Sequence, residues 1–179
     1  MIKNYQSIIG TRIVRQQDRF LVGLIKDIII NPDTGKVEGF WLKSITNPLG
    51  DKVLQTQDIL EWKNNIYIHD EYIISDPNDL LRIVDVLERE TFVVENHVIG
   101  ESDISYGSVY DLDFETDIYQ INNIYCHKTI FGLFSHARSV FSYKNIVEIL
   151  PEKILVKDDS TEKEIIIEPG LLEDQSPAI

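Results

Sequence analysis

The sequence predicts a mainly β protein: two small antiparallel β-barrels in tandem, joined by a short α-helix. Three observations carry that prediction. The chain repeats itself about halfway along, and a repeat of this kind organises a fold before any local feature does. Its apolar residues are dominated by Ile and Val, which are stiff at the first side-chain torsion and sit well on a pleated surface. Its apolar stretches are short, alternate with polar residues at period two, and end at turn residues.

A shift of 84 residues lays Gly23-Leu24-Ile25-Lys26-Asp27-Ile28-Ile29-Ile30 over Gly107-Ser108-Val109-Tyr110-Asp111-Leu112-Asp113-Phe114, so that glycines and aspartates coincide. Without a gap, Asp33 then meets Asp117, Val37 meets Ile121, Phe40 meets Ile124 and Trp41 meets Tyr125. A shift of 87 places Val53, Asp58 and Ile59 over Val140, Asn145 and Ile146, and a shift of 88 places Ile66-Tyr67-Ile68 over Ile154-Leu155-Val156. The register drifts only at turns.

In the first copy, Lys26, Ile28 and Ile30 alternate with Asp27, Ile29 and Asn31; in the second, Tyr110, Leu112 and Phe114 alternate with Asp111, Asp113 and Glu115. One set of each is expected to face inward. Asn31-Pro32-Asp33-Thr34-Gly35 reads as a hairpin turn, with Pro32 presetting one torsion and Gly35 taking a positive φ. The second copy has Thr116-Asp117-Ile118-Tyr119 there, so its turn is expected to be of another kind or more strained. A closing hairpin is expected in each copy, from Ile66-Tyr67-Ile68 to Tyr72-Ile73-Ile74 and from Ile154-Leu155-Val156 to Ile165-Ile166-Ile167. Between the copies Asp76 caps a helix with Pro77 in its first turn, and Leu80, Ile83, Val84 and Leu87 share one face. The expected layout is a first barrel over residues 1–75, a linker helix over 76–90, a second barrel over 91–168 and a flexible tail over 169–179.

The formal net charge of −13 argues against a general nucleic-acid binder, because backbone recognition needs Lys and Arg to displace condensed counterions. The charge is unevenly placed. Residues 1–57 carry eight Lys/Arg against five Asp/Glu, and residues 58–179 carry nine against twenty-five. The basic and acidic copies could pack on one another within a chain or between chains as a homodimer. No apolar run approaches the roughly 18 residues that span a bilayer, and a cytoplasmic location is expected. The single Cys126 rules out an internal disulfide.

At these residues the sequence resembles the PRC-barrel family in a tandem, two-copy form. A copy in that family begins with a Gly-x-Val/Ile-x-Asp strand and turns at a Pro-Asp-x-Gly hairpin. Gly23 to Asp27 with Pro32-Asp33-Thr34-Gly35 matches in the first copy; Gly107 to Asp111 matches in the second, where the turn departs from the pattern. The resemblance implies a compact six-stranded barrel per copy and a docking role; from the residues, no cofactor is expected.

Candidate sites follow. Asp27 and Asp111, with Gly23, Gly35 and Gly107, are read as structural repeat positions that order turns. Asp111, Asp113, Glu115 and Asp117 read as a solvated ladder that limits edge pairing. Cys126, His127 and His136 lack the spacing of a zinc site. No nucleophile elbow, P-loop or dinucleotide fingerprint occurs, and an enzyme is not expected. Two surfaces are candidates for partner binding. The loop holding Phe131, Leu133 and Phe134, inserted only in the second copy, puts large apolar groups where a loop is normally polar. Arg12, Arg15 and Arg19 in the basic copy suit carboxylate or phosphate. The expected function is that of a non-enzymatic adaptor for a protein or assembly, with an RNA-processing or ribosome-associated factor as the alternative.

Overall fold

A computed structural model describes residues 1–45, 51–130, 135–158 and 165–167. The loop with Phe131, Leu133 and Phe134 and the tail from 169 lie outside the described residues. The elements are β1 (Ile2–Asn4), α1 (Tyr5–Ile8), β2 (Arg12–Arg15), β3 (Leu21–Ile30), β4 (Val37–Ser44), β5 (Lys52–Gln55), β6 (Ile59–Trp62) and β7 (Ile66–Ile68), then α2 (Leu81–Leu87). The second copy supplies β8 (His97–Gly100), β9 (Ser105–Glu115), β10 (Gln120–Ile130), β11 (Ser135–Ser142), β12 (Ile146–Ile149), β13 (Lys153–Val156) and β14 (Ile165–Ile167). The protein is mainly β and has two sheets.

The first sheet runs β5-β4-β3-β2-β7-β6; the second, read in the same direction, runs β14-β11-β10-β9-β8-β13-β12, with β1 added beside β9. From β11 to β12 the second path repeats the first strand for strand. Each contains one parallel pair, β2 with β7 and β8 with β13, among antiparallel neighbours. Consecutive strands β5 and β6 end up at opposite ends of a path, yet only the 3-10 turn Thr56–Asp58 joins them. Three residues reach at most about 10 Å, whereas six flat strands would hold their outer members about 24 Å apart. The sheet must therefore curl until its ends approach. Tyr143–Asn145 imposes the same curl between β11 and β12.

The duplication extends to irregularities. The β3/β4 ladder skips Lys26 between Ile25 and Asp27, and the β9/β10 ladder skips Tyr110 between Val109 and Asp111. Glu38 on β4 and Asn122 on β10 are skipped in the same way. Val22 and Tyr106 form a third pair of bulges, Leu60 and Val147 a fourth. A bulge adds one residue and reverses the inside/outside assignment beyond it. Ile25 and Ile28 therefore both serve the main core, as do Val109 and Leu112. This corrects the simple alternation: Val109 is buried, and half-buried Tyr110 turns outward to meet the rings of Tyr125 and His127.

The turn between β9 and β10 keeps the geometry of the first copy without its glycine. Gly35 has φ +66 and Tyr119, at the equivalent place, has φ +54. Tyr119 accepts that cost because its ring packs against the main core.

Two other expectations are corrected. Tyr72 to Ile74 do not pair as a strand: Glu71–Ile73 is a 3-10 turn opened by the Asp70 carboxylate, which accepts from the Tyr72 amide, and only Ser75 bridges back, to Val53. Ile165–Ile167 does form a strand, but it joins β11 rather than returning along β13. The linker begins as expected with the Asp76 carboxylate accepting from Asn78, but Pro77–Asp79 is a 3-10 turn and α2 starts at Leu81. Its buried residues are Ile83 and Val86, which join Ile29 and Val53 in a small cluster under Leu80, Leu87 and Trp41. Arg82 clamps the helix to β4 through an ion pair of 2.9 Å to the buried Glu38.

One core serves both copies. Ile13, Val22, Ile25, Phe40 and Ile66 from the first belong to the same buried cluster as Val98, Val109, Leu112, Phe114 and Phe141 from the second. Phe114 reaches across, its ring centroid 5.9 Å from Trp62 and 6.5 Å from Phe40. The two hairpin turns also pair: the Val37 amide donates to the Tyr119 carbonyl (2.8 Å) and the Ile121 amide to the Gly35 carbonyl (3.1 Å). Residues 35 and 37 correspond to 119 and 121 in the repeat, so these bonds are reciprocal, as across a two-fold axis in an isologous dimer. The chain is folded as a dimer of its own halves.

Candidate functional site

The sequence-derived candidates do not gather in one place. Arg12 is exposed on β2. Arg15 is bound on two sides, by Asp18 (2.7 Å) and by Glu71 (2.6 Å), and with the Asp18 carboxylate held at about 2 by that guanidinium, the group is internally neutralised. Arg19 lies over the Tyr67 ring, 4.5 Å from its centroid. Three arginines adjacent in sequence thus do not make one open basic patch.

Asp27 and Asp111 each follow a bulged residue and accept the next amide, from Ile28 at 2.8 Å and from Leu112 at 2.9 Å. Asp111 also accepts from the Gln6 amide at 3.2 Å, which ties the N-terminal segment to the second copy. Of the acidic ladder, Asp117 is exposed but Asp113 is not on a solvated face, and this is a correction. Asp113 is 5% exposed and accepts from the Tyr125 hydroxyl (2.6 Å) and Asn123 (3.0 Å), because β1 pairs along β9 from Asn4 to Ile2 and turns this stretch into an inner strand. Cys126 is buried, and among the described residues no cluster could hold a metal ion.

Gly107 has φ +88, and a Cβ there would overlap the backbone carbonyl of His127 on β10. Gly23 has ordinary backbone geometry, and a Cβ there would stand 3.0 Å from the equivalent Lys43 carbonyl. Gly35 supports the Tyr143 ring, which stands where a side chain would be.

What the fold brings together, and the sequence does not announce, is a groove of about 640 Å³ at the junction of the copies. Its floor is the end of β3, Asp27 to Ile30, with Trp41 beside it. One wall is the end of α2 and the segment Glu90 to His97; Tyr5 comes from the N-terminus, and Pro151 and Glu152 from the β12–β13 turn. The Tyr5 phenol is pushed up to about 12, first by burial and then by the charge and hydrogen bond of Asp27, with Glu95 and Asp111 adding. Phe92 stands 67% exposed on the wall. Five separate segments contribute, so no local spacing could have revealed the site; the one sequence signal is the acidic excess beyond residue 57.

Burial also pushes the Cys126 thiol and the Tyr119 and Tyr125 phenols up to about 12, from 9.0 for the thiol and 10.0 for the phenols. A raised folded pKa favours the protonated form, so the unfolded chain releases protons first and stability falls as pH rises from about 9 towards 12. Urea midpoints compared at about pH 8 and 11 should show the loss; an unchanged midpoint would contradict it. Cys126 should likewise resist a thiol reagent in the folded protein and react at once in denaturant.

Fold and groove together define an internally duplicated, two-sheet β protein with a cleft between its halves. No model of a known protein family matches the chain, and no curated protein is similar to it in sequence.

Proposed function

We propose that the protein is a docking module, a pair of PRC-type barrels that holds another protein. The observation that carries this reading is the inter-copy groove: it exists only because two equivalent sheets are fused about a local two-fold axis, and it mixes apolar and ionised groups as protein-binding surfaces do. The curled six-strand paths and repeated bulges support the barrel reading. An adaptor working as a rigid scaffold is consistent with a core shared by both halves. The RNA-associated reading keeps Arg12 and Arg19 but has lost the free charge of Arg15.

Affinity capture tests the proposal with the wild-type chain, Phe92→Glu in the groove, and Phe131→Ser with Phe134→Ser in the apolar loop. A protein that co-purifies with wild type and is lost from at least one folded variant is the expected result. A binding profile unchanged in both variants, or no stoichiometric partner for the wild type, would count against a docking role.

A further inference from the structure

We propose that the inter-copy groove takes the Lys or Arg side chains of an extended basic segment from a partner protein; this rests on the docking reading above. The sign of the groove is the first reason. Four carboxylates line it, Asp27, Glu90, Glu95 and Glu152, and no Lys or Arg does. Among the described residues none of the four is in an ion pair with Lys or Arg. On other parts of the surface Asp33 pairs with Arg89 and Asp51 with Lys26. Asp27 already accepts from the Ile28 amide, and the exposed Glu90, Glu95 and Glu152 are the carboxylates an incoming cation would meet.

The shape and the apolar lining choose among cations. No cluster of the described residues could hold a metal ion, so the carboxylates are spread rather than convergent. Trp41, Leu87 and Phe92 sit among them. A long aliphatic stem ending in a charge fits this mixture, because the stem lies on apolar surface while its head reaches a carboxylate, and a guanidinium or ammonium gains further over an aromatic face. The groove is larger than one side chain needs, which leaves room for flanking backbone, and the chain's net charge of −13 would steer a basic segment towards it.

The test titrates the full-length protein with a short synthetic peptide of alternating Arg and Leu, the same peptide with Glu for Arg, and spermine, following heat or Trp fluorescence. The Arg peptide should bind and weaken with salt; the Glu peptide should not bind. Glu90 and Glu95 are exposed, so Glu90→Gln with Glu95→Gln should keep the fold while weakening the Arg peptide roughly tenfold, the combined effect of two rim charges. Three outcomes would overturn the proposal: no binding of the Arg peptide, binding indifferent to both substitutions, or spermine binding as tightly as the peptide, which would mark a free-amine site. If captured partners are lost with Phe92→Glu while the Arg peptide fails to bind, the docking role stands and only the basic occupant is wrong.

Discussion

Gly107→Ala is expected to cost about 4 kcal/mol, enough to consume much of the stability of an ordinary domain. Two penalties combine. The residue holds φ +88, where a Cβ is unfavourable by about 1–2 kcal/mol. The new methyl would also overlap the His127 carbonyl, and only separation of β9 from β10 could relieve that. Separation weakens ladder hydrogen bonds worth about 1 kcal/mol each. Gly23→Ala is the control. Its neighbour is the equivalent carbonyl of Lys43 at 3.0 Å, but its backbone is not left-handed, so a shift of a few tenths of an ångström suffices and about 1 kcal/mol is expected. Denaturant unfolding of both variants checks the difference; equal effects would mean that the two strands are not held as described.

Phe114→Ala is expected to cost about 3–5 kcal/mol, the range for removing a fully buried ring. The more informative result is coupling between the copies. Phe114 belongs to the second, and its ring contacts Phe40 and Trp62 of the first. A double-mutant cycle with Phe40→Ala should return an interaction of about 0.5–1.5 kcal/mol. Wild-type unfolding should be one cooperative transition followed alike by Trp fluorescence and far-ultraviolet dichroism. Two separated transitions, or strictly additive mutations, would show halves that fold independently and would remove the shared core on which the groove depends.

The extent to which the chain could be read in advance follows from the range of each interaction. The Gly-to-Asp strand was legible because its glycine and aspartate recur 84 residues apart, each aspartate accepting the next amide, a local matter of backbone and near neighbours. The Asp76-Pro77 start of the linker was legible for the same reason. Tyr119 was harder: its sequence shows a missing glycine, but not the buried contacts that let a tyrosine hold a left-handed backbone. Tyr110 was assigned to the wrong face because period-two reasoning carries no mark where a ladder slips by one residue.

The sequence by itself determined the duplication, the strand-rich class, the Asn31–Gly35 turn and the unequal charge of the two halves, all properties of residues close together or compared one with another. Tertiary structure alone decided that β1 crosses to the second sheet and buries Asp113, that Arg15 spends its charge on Asp18 and Glu71, and that Tyr5, Trp41, Phe92 and four carboxylates meet around one groove. Apart from Arg15 and Asp18, the partners are separated by tens of residues along the chain. They become neighbours only when two like sheets pair about an axis, and no periodicity in the sequence records where such an axis falls.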